Sequence, residues 1–333
     1  MTVASTPNRS PGLRSLAVIE KTPIRPFQAF IRCRHCGTRT SDVVADLGMQ
    51  PIANAMREQS ELSRMEPTFP LRALICPNCL LVQIEEVQSA QELFSADYTY
   101  FSSYADALVE QARMYALRSI ERFRLGSGSR VVEIACNDGY LLRWFKEAGV
   151  PVAGVEPTAN TAAVTRAMGI PVDTRFFGEQ TARDLLAQGL SADLMPANNV
   201  VAHVPDINDF LKGFTVLLKP EGVASFEFHH VLNLLQKNQF DAIYHEHYYY
   251  HSLRTLQRIL ASQGLRVFDV EKIPSHGGSL RVYAQRADTG TRPATPRVES
   301  VLLGRPRPVL IPSPDICHWG IRSGRRSGTF CPT

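Results

Sequence analysis

Four of the seven cysteines in this 333-residue chain fall in two Cys-x-x-Cys pairs, Cys33-Arg-His-Cys36 and Cys76-Pro-Asn-Cys79. A two-residue gap lets both thiolates of a tight knuckle face one point, and two knuckles complete a tetrahedral S4 shell suited to Zn2+. Four thiolates leave no open position, so the expected zinc is structural rather than catalytic. A redox dithiol and incidental cysteines are the competing readings. His35, inside the first knuckle, either replaces a thiolate or faces solvent. A second concentration is imidazole: five of the nine histidines, His229, His230, His245, His247 and His251, lie within one short stretch. Histidine titrates near neutrality and can act as a general base without extreme tuning. In Tyr244-His-Glu-His247 the Glu246 carboxylate can orient an imidazole and raise its basicity. Zinc held by His245 and His247, or histidines that are merely hydrogen-bonded, are the alternatives.

A third group is acidic. The segment Glu133-Ile-Ala-Cys-Asn-Asp-Gly139 is not G-x-G-x-x-G, so pyrophosphate cradling has poor support. It places two carboxylates, Glu133 and Asp138, and the Asn137 amide where a strand should end. A sulfonium and an amino-acid ammonium would want such neighbours, and Gly139 lets the chain turn closely past a ligand. Glu156 stands where the next strand should end and can take both ribose hydroxyls, or it is an ordinary helix-start acid. Cys136 beside them reads as a small packing residue.

These residues need a scaffold, and the pattern supplies one. From Arg130 onward, short apolar runs alternate with helical stretches, the signature of βαβ units and a parallel sheet. Strands are expected at 131–135, 152–156, 172–176, 194–200 and 223–228, with helices near 140–148, 159–168, 180–188 and 207–218. Two last strands, 266–272 and 280–285, flank His276-Gly-Gly278 as an antiparallel hairpin, which is how a methyltransferase sheet usually ends. The fold class is therefore α/β: a class I methyltransferase Rossmann-like sheet, parallel with a final antiparallel hairpin, preceded by a small zinc-binding domain. The expected domains are a disordered 1–30, a zinc-binding domain at 31–104 with an aromatic loop, a connecting helix at 105–128 and a cofactor-binding domain at 129–288. At 289–333, an irregular tail holds seven Arg against Glu299 and Asp315, with recurring prolines.

Composition bounds the rest. Apolar residues make 44% and charged residues 20% of the chain, ample for a buried core. Net charge is 36 − 32 = +4, too weak for a dedicated nucleic-acid binder. No run of about 18 apolar residues predicts a membrane span. The first thirty residues lack an apolar signal core, so a soluble, cytoplasmic protein is expected.

Five segments in order resemble the nucleotide-sugar C-methyltransferases, S-adenosylmethionine enzymes that methylate C3 of 4-keto deoxysugars. They are the paired Cys-x-x-Cys knuckles, Tyr98-Thr-Tyr-Phe-Ser-Ser103, Glu133-Ile-Ala-Cys-Asn-Asp-Gly139, Ala197-Asn-Asn-Val-Val-Ala-His-Val204 and Ile243-Tyr-His-Glu-His247. The resemblance covers about Ile31 to Arg286. At Ala135-Cys136 members often have Gly and Ser, a small-for-small departure. The resemblance implies that His247 is the base that removes the proton beside a ketone, and that Tyr98, His203, Tyr244 and Glu246 line the substrate site. His203, just past the fourth strand, suits contact with the ketone oxygen or its enolate. The implied cofactor, S-adenosylmethionine, would meet Glu133, Asn137, Asp138, Gly139, Glu156 and Asn198. Asn199 is the weaker of the asparagine pair, because one of two adjacent strand residues points away. Phe176 and Phe177 flank the adenine or pack in the core. Cys33, Cys36, Cys76 and Cys79 would hold the structural zinc. The expected partner is a nucleotide sugar, with no nucleic acid and no membrane, and the chain is expected to be a monomer. The family continues into a further α/β domain where this chain has its Arg/Pro tail. That points to a shifted or truncated reading frame, the alternative being a natural basic tail for acidic partners.

Overall fold

The computed structural model describes residues 30–94 and 98–304. The expected disordered start and the tail beyond Gly304 lie outside the described residues. The first knuckle joins β1 (Ile31–Arg32) to β2 (Arg39–Thr40), and a sheet follows with β3 (Asp42–Gln50), β4 (Phe69–Ile75) and β5 (Val82–Ile84). Each knuckle closes the same way. The Gly37 amide donates to the Cys33 carbonyl at 2.8 Å, and the Leu80 amide to the Cys76 carbonyl at 2.9 Å. The residue after the second cysteine is left-handed in both, Gly37 at φ +72° and Leu80 at φ +63°.

A short helix α1 (Ala90–Leu93) leads to the aromatic segment and α2 (Asp106–Phe123). Ala112, Tyr115, Ala116 and Ser119 form the buried stripe of α2, and left-handed Arg124 ends it. The second sheet then alternates with helices: β6 (Val131–Ile134), α3 (Leu142–Glu147), β7 (Val152–Val155), α4 (Ala159–Ala167), β8 (Val172–Asp173), α5 (Glu179–Ala187), β9 (Ala192–Asn198), α6 (Ile207–Leu217) and β10 (Leu218–His229). Beyond it come α7 (Val231–Gln236), β11 (Tyr249–Tyr250), α8 (Leu253–Ser262), β12 (Leu265–Ile273), β13 (Ser279–Arg286) and α9 (Pro296–Leu303).

The seven-stranded order is β12-β13-β10-β9-β6-β7-β8. β6 to β10 run parallel, and β13 is antiparallel to both β10 and β12. This is the class I methyltransferase arrangement that the hairpin anticipates. Alternation along the strands feeds two cores. Val132, Met195 and Phe226 pack with α5, α6 and α8, whereas Val131, Leu194 and Val223 pack with α2 and α3.

Two expectations change, and one strand, β11, was not anticipated. The strand expected at 172–176 stops at Asp173, because its carboxylate accepts the Arg175 amide at 3.0 Å and turns the chain. β11 does not join the large sheet: it pairs with β5 as the fourth strand of the zinc-binding sheet, in the order β11-β5-β4-β3. The expectation of an irregular segment from 289 is corrected as far as Gly304. There Thr289 donates to the Pro220 carbonyl at 2.7 Å, and the Thr295 amide to the Phe268 carbonyl at 2.8 Å. α9 is then anchored by Arg297 on fully buried Asp269, which also takes Arg122 and Thr295. Ordering comes from a buried carboxylate far away in sequence, which composition does not reveal.

Candidate active site

The four cysteine sulfurs lie within 4.8 Å of one another, with Cys33 and Cys79 at 3.5 Å and Cys36 and Cys76 at 3.6 Å. A tetrahedral Zn–S shell of about 2.3 Å bonds has edges of about 3.8 Å, so the cluster fits zinc closely. His35 is not part of it: its Nδ1 lies 2.8 Å from Asn208 Oδ1 on α6, tying the knuckle to the second domain.

A cavity of about 420 Å3 opens at the carboxyl ends of β6, β7 and β9, beneath the aromatic segment and the Tyr244–His247 turn. Tyr98, His203, Tyr244, Glu246 and His247 all line it, as do Asn137, Glu156 and Asn198. His247 is 4% exposed. Its Nδ1 lies 2.9 Å from the Ala242 carbonyl, which makes that nitrogen the N–H donor and leaves Nε2 as acceptor of the Tyr244 hydroxyl at 2.8 Å. Burial, then the charges of His203 and His229, holds its pKa well below the usual range. The ring is therefore a neutral base at pH 7. The His203 ring is 4.6 Å from that of His247, its Nδ1 is buried without a partner, and burial brings it down to about 4. Glu246 does not touch His247. It accepts from Asn54 at 2.6 Å and from the Tyr98 hydroxyl at 3.4 Å, and burial raises its pKa. Burial followed by the Glu246 charge pushes Tyr98 up, so its hydroxyl stays protonated.

At the other end, the Glu156 carboxylate accepts the amides of Asn137 and Thr158, each at 2.9 Å, and lines the cavity. The Asn198 and Asn199 side-chain oxygens are both buried without partners, and both residues line the cavity. Asn199 reaches it because its backbone is left-handed at φ +56°, which breaks strand alternation. Three expected cofactor contacts stand behind the wall. Glu133 and Asp138 are buried but do not line the cavity, and Asp138 instead accepts the Ser103 amide at 3.0 Å. Gly139, at φ +79°, leaves room for Thr165, which its Cβ would meet at 3.1 Å, rather than for a ligand. Asn137 spends its side chain on the aromatic segment, bonding the Tyr100 carbonyl and the Ser102 amide.

Residues 33–94 match the family model described as "Putative zinc binding domain", and residues 108–270 the one described as "Methyltransferase domain". The chain joins a zinc-binding domain to a class I methyltransferase domain. The four-thiolate cluster suits zinc, and the acidic, asparagine-lined end of the cavity suits S-adenosylmethionine. A Streptomyces niveus protein named C-methyltransferase NovU is 34% identical over 273 residues, 81% of this chain and 64% of that protein's length. The chain thus spans a little under two thirds of that relative. A ubiquinone biosynthesis O-methyltransferase of a Methylobacterium strain is 32% identical over 101 residues, 29% of this chain and 39% of its own. The magnesium protoporphyrin IX methyltransferase of Synechocystis PCC 6803 aligns at TM-score 0.43 and 15% identity, covering 54% of this chain and 83% of that one. No helix among the described residues is long and apolar enough to cross a membrane.

The histidine-rich stretch divides. His245 bonds the Pro70 carbonyl and His251 the Val201 carbonyl, and neither lines the cavity. His245 and His247 hold separate partners, and the group of three or more metal-capable side chains among the described residues is the cysteine cluster. His229, named in the sequence only as one of five clustered histidines, and His276, which was given no role of its own, both line the cavity. The signal for His276 was the Gly-Gly that follows it, which fits a hairpin closure or a backbone-first approach to substrate, the hairpin being preferred. Phe176 lines the cavity, whereas Phe177 also packs edge-on against Phe210 and Phe214, so the pair splits between ligand wall and core.

Proposed function

We propose that this methyltransferase transfers a methyl group to C3 of a nucleotide-linked 4-keto-6-deoxysugar through an enolate, in deoxysugar biosynthesis, as a cytoplasmic monomer. The observation that carries the reading is the convergence of a neutral buried base, His247, and the unpartnered His203 nitrogen on the chamber that Glu156 and Asn198 reach from the sheet. C-methylation beside a ketone needs a base at the α-carbon and a donor at the carbonyl oxygen. His247 Nε2 takes the C3 proton, its tautomer fixed by the Ala242 carbonyl. His203 or the Tyr98 hydroxyl donates to the developing oxyanion, where a buried donor is worth most. Glu246 holds Tyr98 in place, and Tyr244 aims the His247 ring. Glu156 and Asn198 hold S-adenosylmethionine, which supplies the electrophilic methyl group when bound. The S. niveus relative's name agrees with methylation on carbon, and a thiolate zinc shell suits a reducing cytoplasm.

The test is mass spectrometry of thymidine-diphosphate 4-keto deoxysugars incubated with the protein and S-adenosylmethionine in heavy water. A methyl gain on carbon is expected. His247→Ala should abolish it while S-adenosylmethionine affinity changes less than about threefold, since the base does not touch the cofactor end. No methyl gain across the panel, or full turnover by His247→Ala, refutes the assignment.

A further inference from the structure

On the proposed reaction, each turnover leaves a proton on His247, which a sugar in the cavity would seal from water. Its surroundings offer few ways out. Nδ1 is committed to the Ala242 carbonyl, and Nε2 faces the Tyr244 hydroxyl. Burial raises the pKa values of Tyr244 and Tyr250, which keeps their hydroxyls protonated. The His203 ring backs onto Phe94, an apolar dead end. His229 differs. Its ring is 5.3 Å from that of His247, and its Nε2 is buried without a partner. Its far side meets the His276 ring at 5.0 Å, and His276 is exposed at the cavity mouth. Such spacings are closed by a ring rotation or one bridging water.

The loop bearing His276 is built to hold it. The residue is left-handed at φ +52°, uncommon for a side chain of this size. Three groups clamp the two glycines that follow: Asn233 donates to the Gly278 carbonyl at 2.9 Å, and Lys237 and Gln239 to the Gly277 carbonyl at 2.7 and 3.2 Å. Left-handed residues held this firmly cluster at working sites. The remaining charged groups near His229 are Glu227, Asp241 and His276. Glu227 is committed to Arg281, Gln111 and Ser275 rather than to His229.

We propose that His229 and His276 form the proton exit from His247 to solvent, an inference that rests on the C-methylation reading. The C3–H electron pair stays with carbon as the enolate, and the proton passes to His247 Nε2. From there it reaches the unpartnered Nε2 of His229, which releases a proton from its other ring nitrogen to His276 and then to water. No redox step is involved.

The test uses a thymidine-diphosphate 4-keto sugar deuterated at C3, with the full chain. Wash-out of deuterium to water is followed with S-adenosylhomocysteine present, and methyl transfer is followed in a single turnover with S-adenosylmethionine. Without an exit the label returns to C3, so His229→Phe and His276→Asn should each lower the ratio of wash-out to methyl transfer tenfold or more. Asn tolerates the left-handed backbone, so His276→Asn keeps the loop. Wash-out and methyl transfer falling together would mark general damage to the base and overturn the exit path, as would an unchanged ratio. Wild-type protein showing neither reaction would overturn the C-methylation reading itself, and the exit path with it.

Discussion

His251 makes a quantitative test of how the buried imidazoles set acid stability. It is 1% exposed, between Phe228 and Tyr249, with Nε2 3.3 Å from the Val201 carbonyl and Nδ1 unpartnered. Burial brings its pKa down to about 4. The unfolded value is about 6.5, so between the two the unfolded chain binds a proton that the native fold refuses. The stabilising contribution is therefore present above about pH 6.5 and is lost as pH falls towards about 4. At pH 5 the gap is about 1.5 units, worth about 2 kcal/mol at about 1.4 kcal/mol per unit. His230, also buried and brought to about 4, adds a similar loss. Against a typical total of about 5–15 kcal/mol, these two histidines alone remove a substantial share. His251→Phe keeps a ring of similar size and removes the titration. Loss of the Val201 contact costs about 1 kcal/mol at every pH. Urea unfolding at pH 7 and pH 5 should show the variant losing about 2 kcal/mol less than wild type over that interval. Protonation of the zinc thiolates affects both proteins alike and drops out of the comparison. Equal losses within about 0.5 kcal/mol would refute burial as the cause.

Removing zinc with a chelator should abolish methyl transfer while S-adenosylmethionine binding, followed calorimetrically, persists, because Asn54 and β5 hold Glu246 and β11 from the zinc side. Loss of both together would show that the methyltransferase domain depends on the metal for its own fold. Ala135 is left-handed at φ +54°, where a side chain costs about 1–2 kcal/mol and glycine's added entropy about 0.5–1. Ala135→Gly should thus gain about 0.5–1 kcal/mol in thermal unfolding, and any loss of stability would count against strain at this turn.

Much of this was legible from local pattern. Cys-x-x-Cys spacing reports a geometry that two residues enforce alone, and the alternation of apolar runs reports a parallel sheet. The departure at Ala135 was legible too, yet its meaning was not, because a one-for-one change in size hides a change in allowed φ. What escaped depended on contacts across long separations. Glu133 and Asp138 have the chemistry of cofactor ligands, but the aromatic segment returns over the turn and covers Asp138. His229 and His245 look alike in sequence, and only the fold sends one to the cavity and the other to the Pro70 carbonyl. The ordered stretch up to Gly304 depends on Asp269, whose two arginine partners lie on opposite sides of it in the chain.

The pairing of β11 with β5 also has a consequence for synthesis. The zinc knuckles and β3 to β5 leave the ribosome early, yet the strand that covers β5 follows about 165 residues later, from Ile84 to Tyr249. Until then the edge at Val82–Ile84 presents unpaired amides and carbonyls, the feature that invites pairing with another chain. Closing that edge is the same event that brings His247 to its final place, two residues before β11. A nascent chain therefore covers the β5 edge only when it acquires its base.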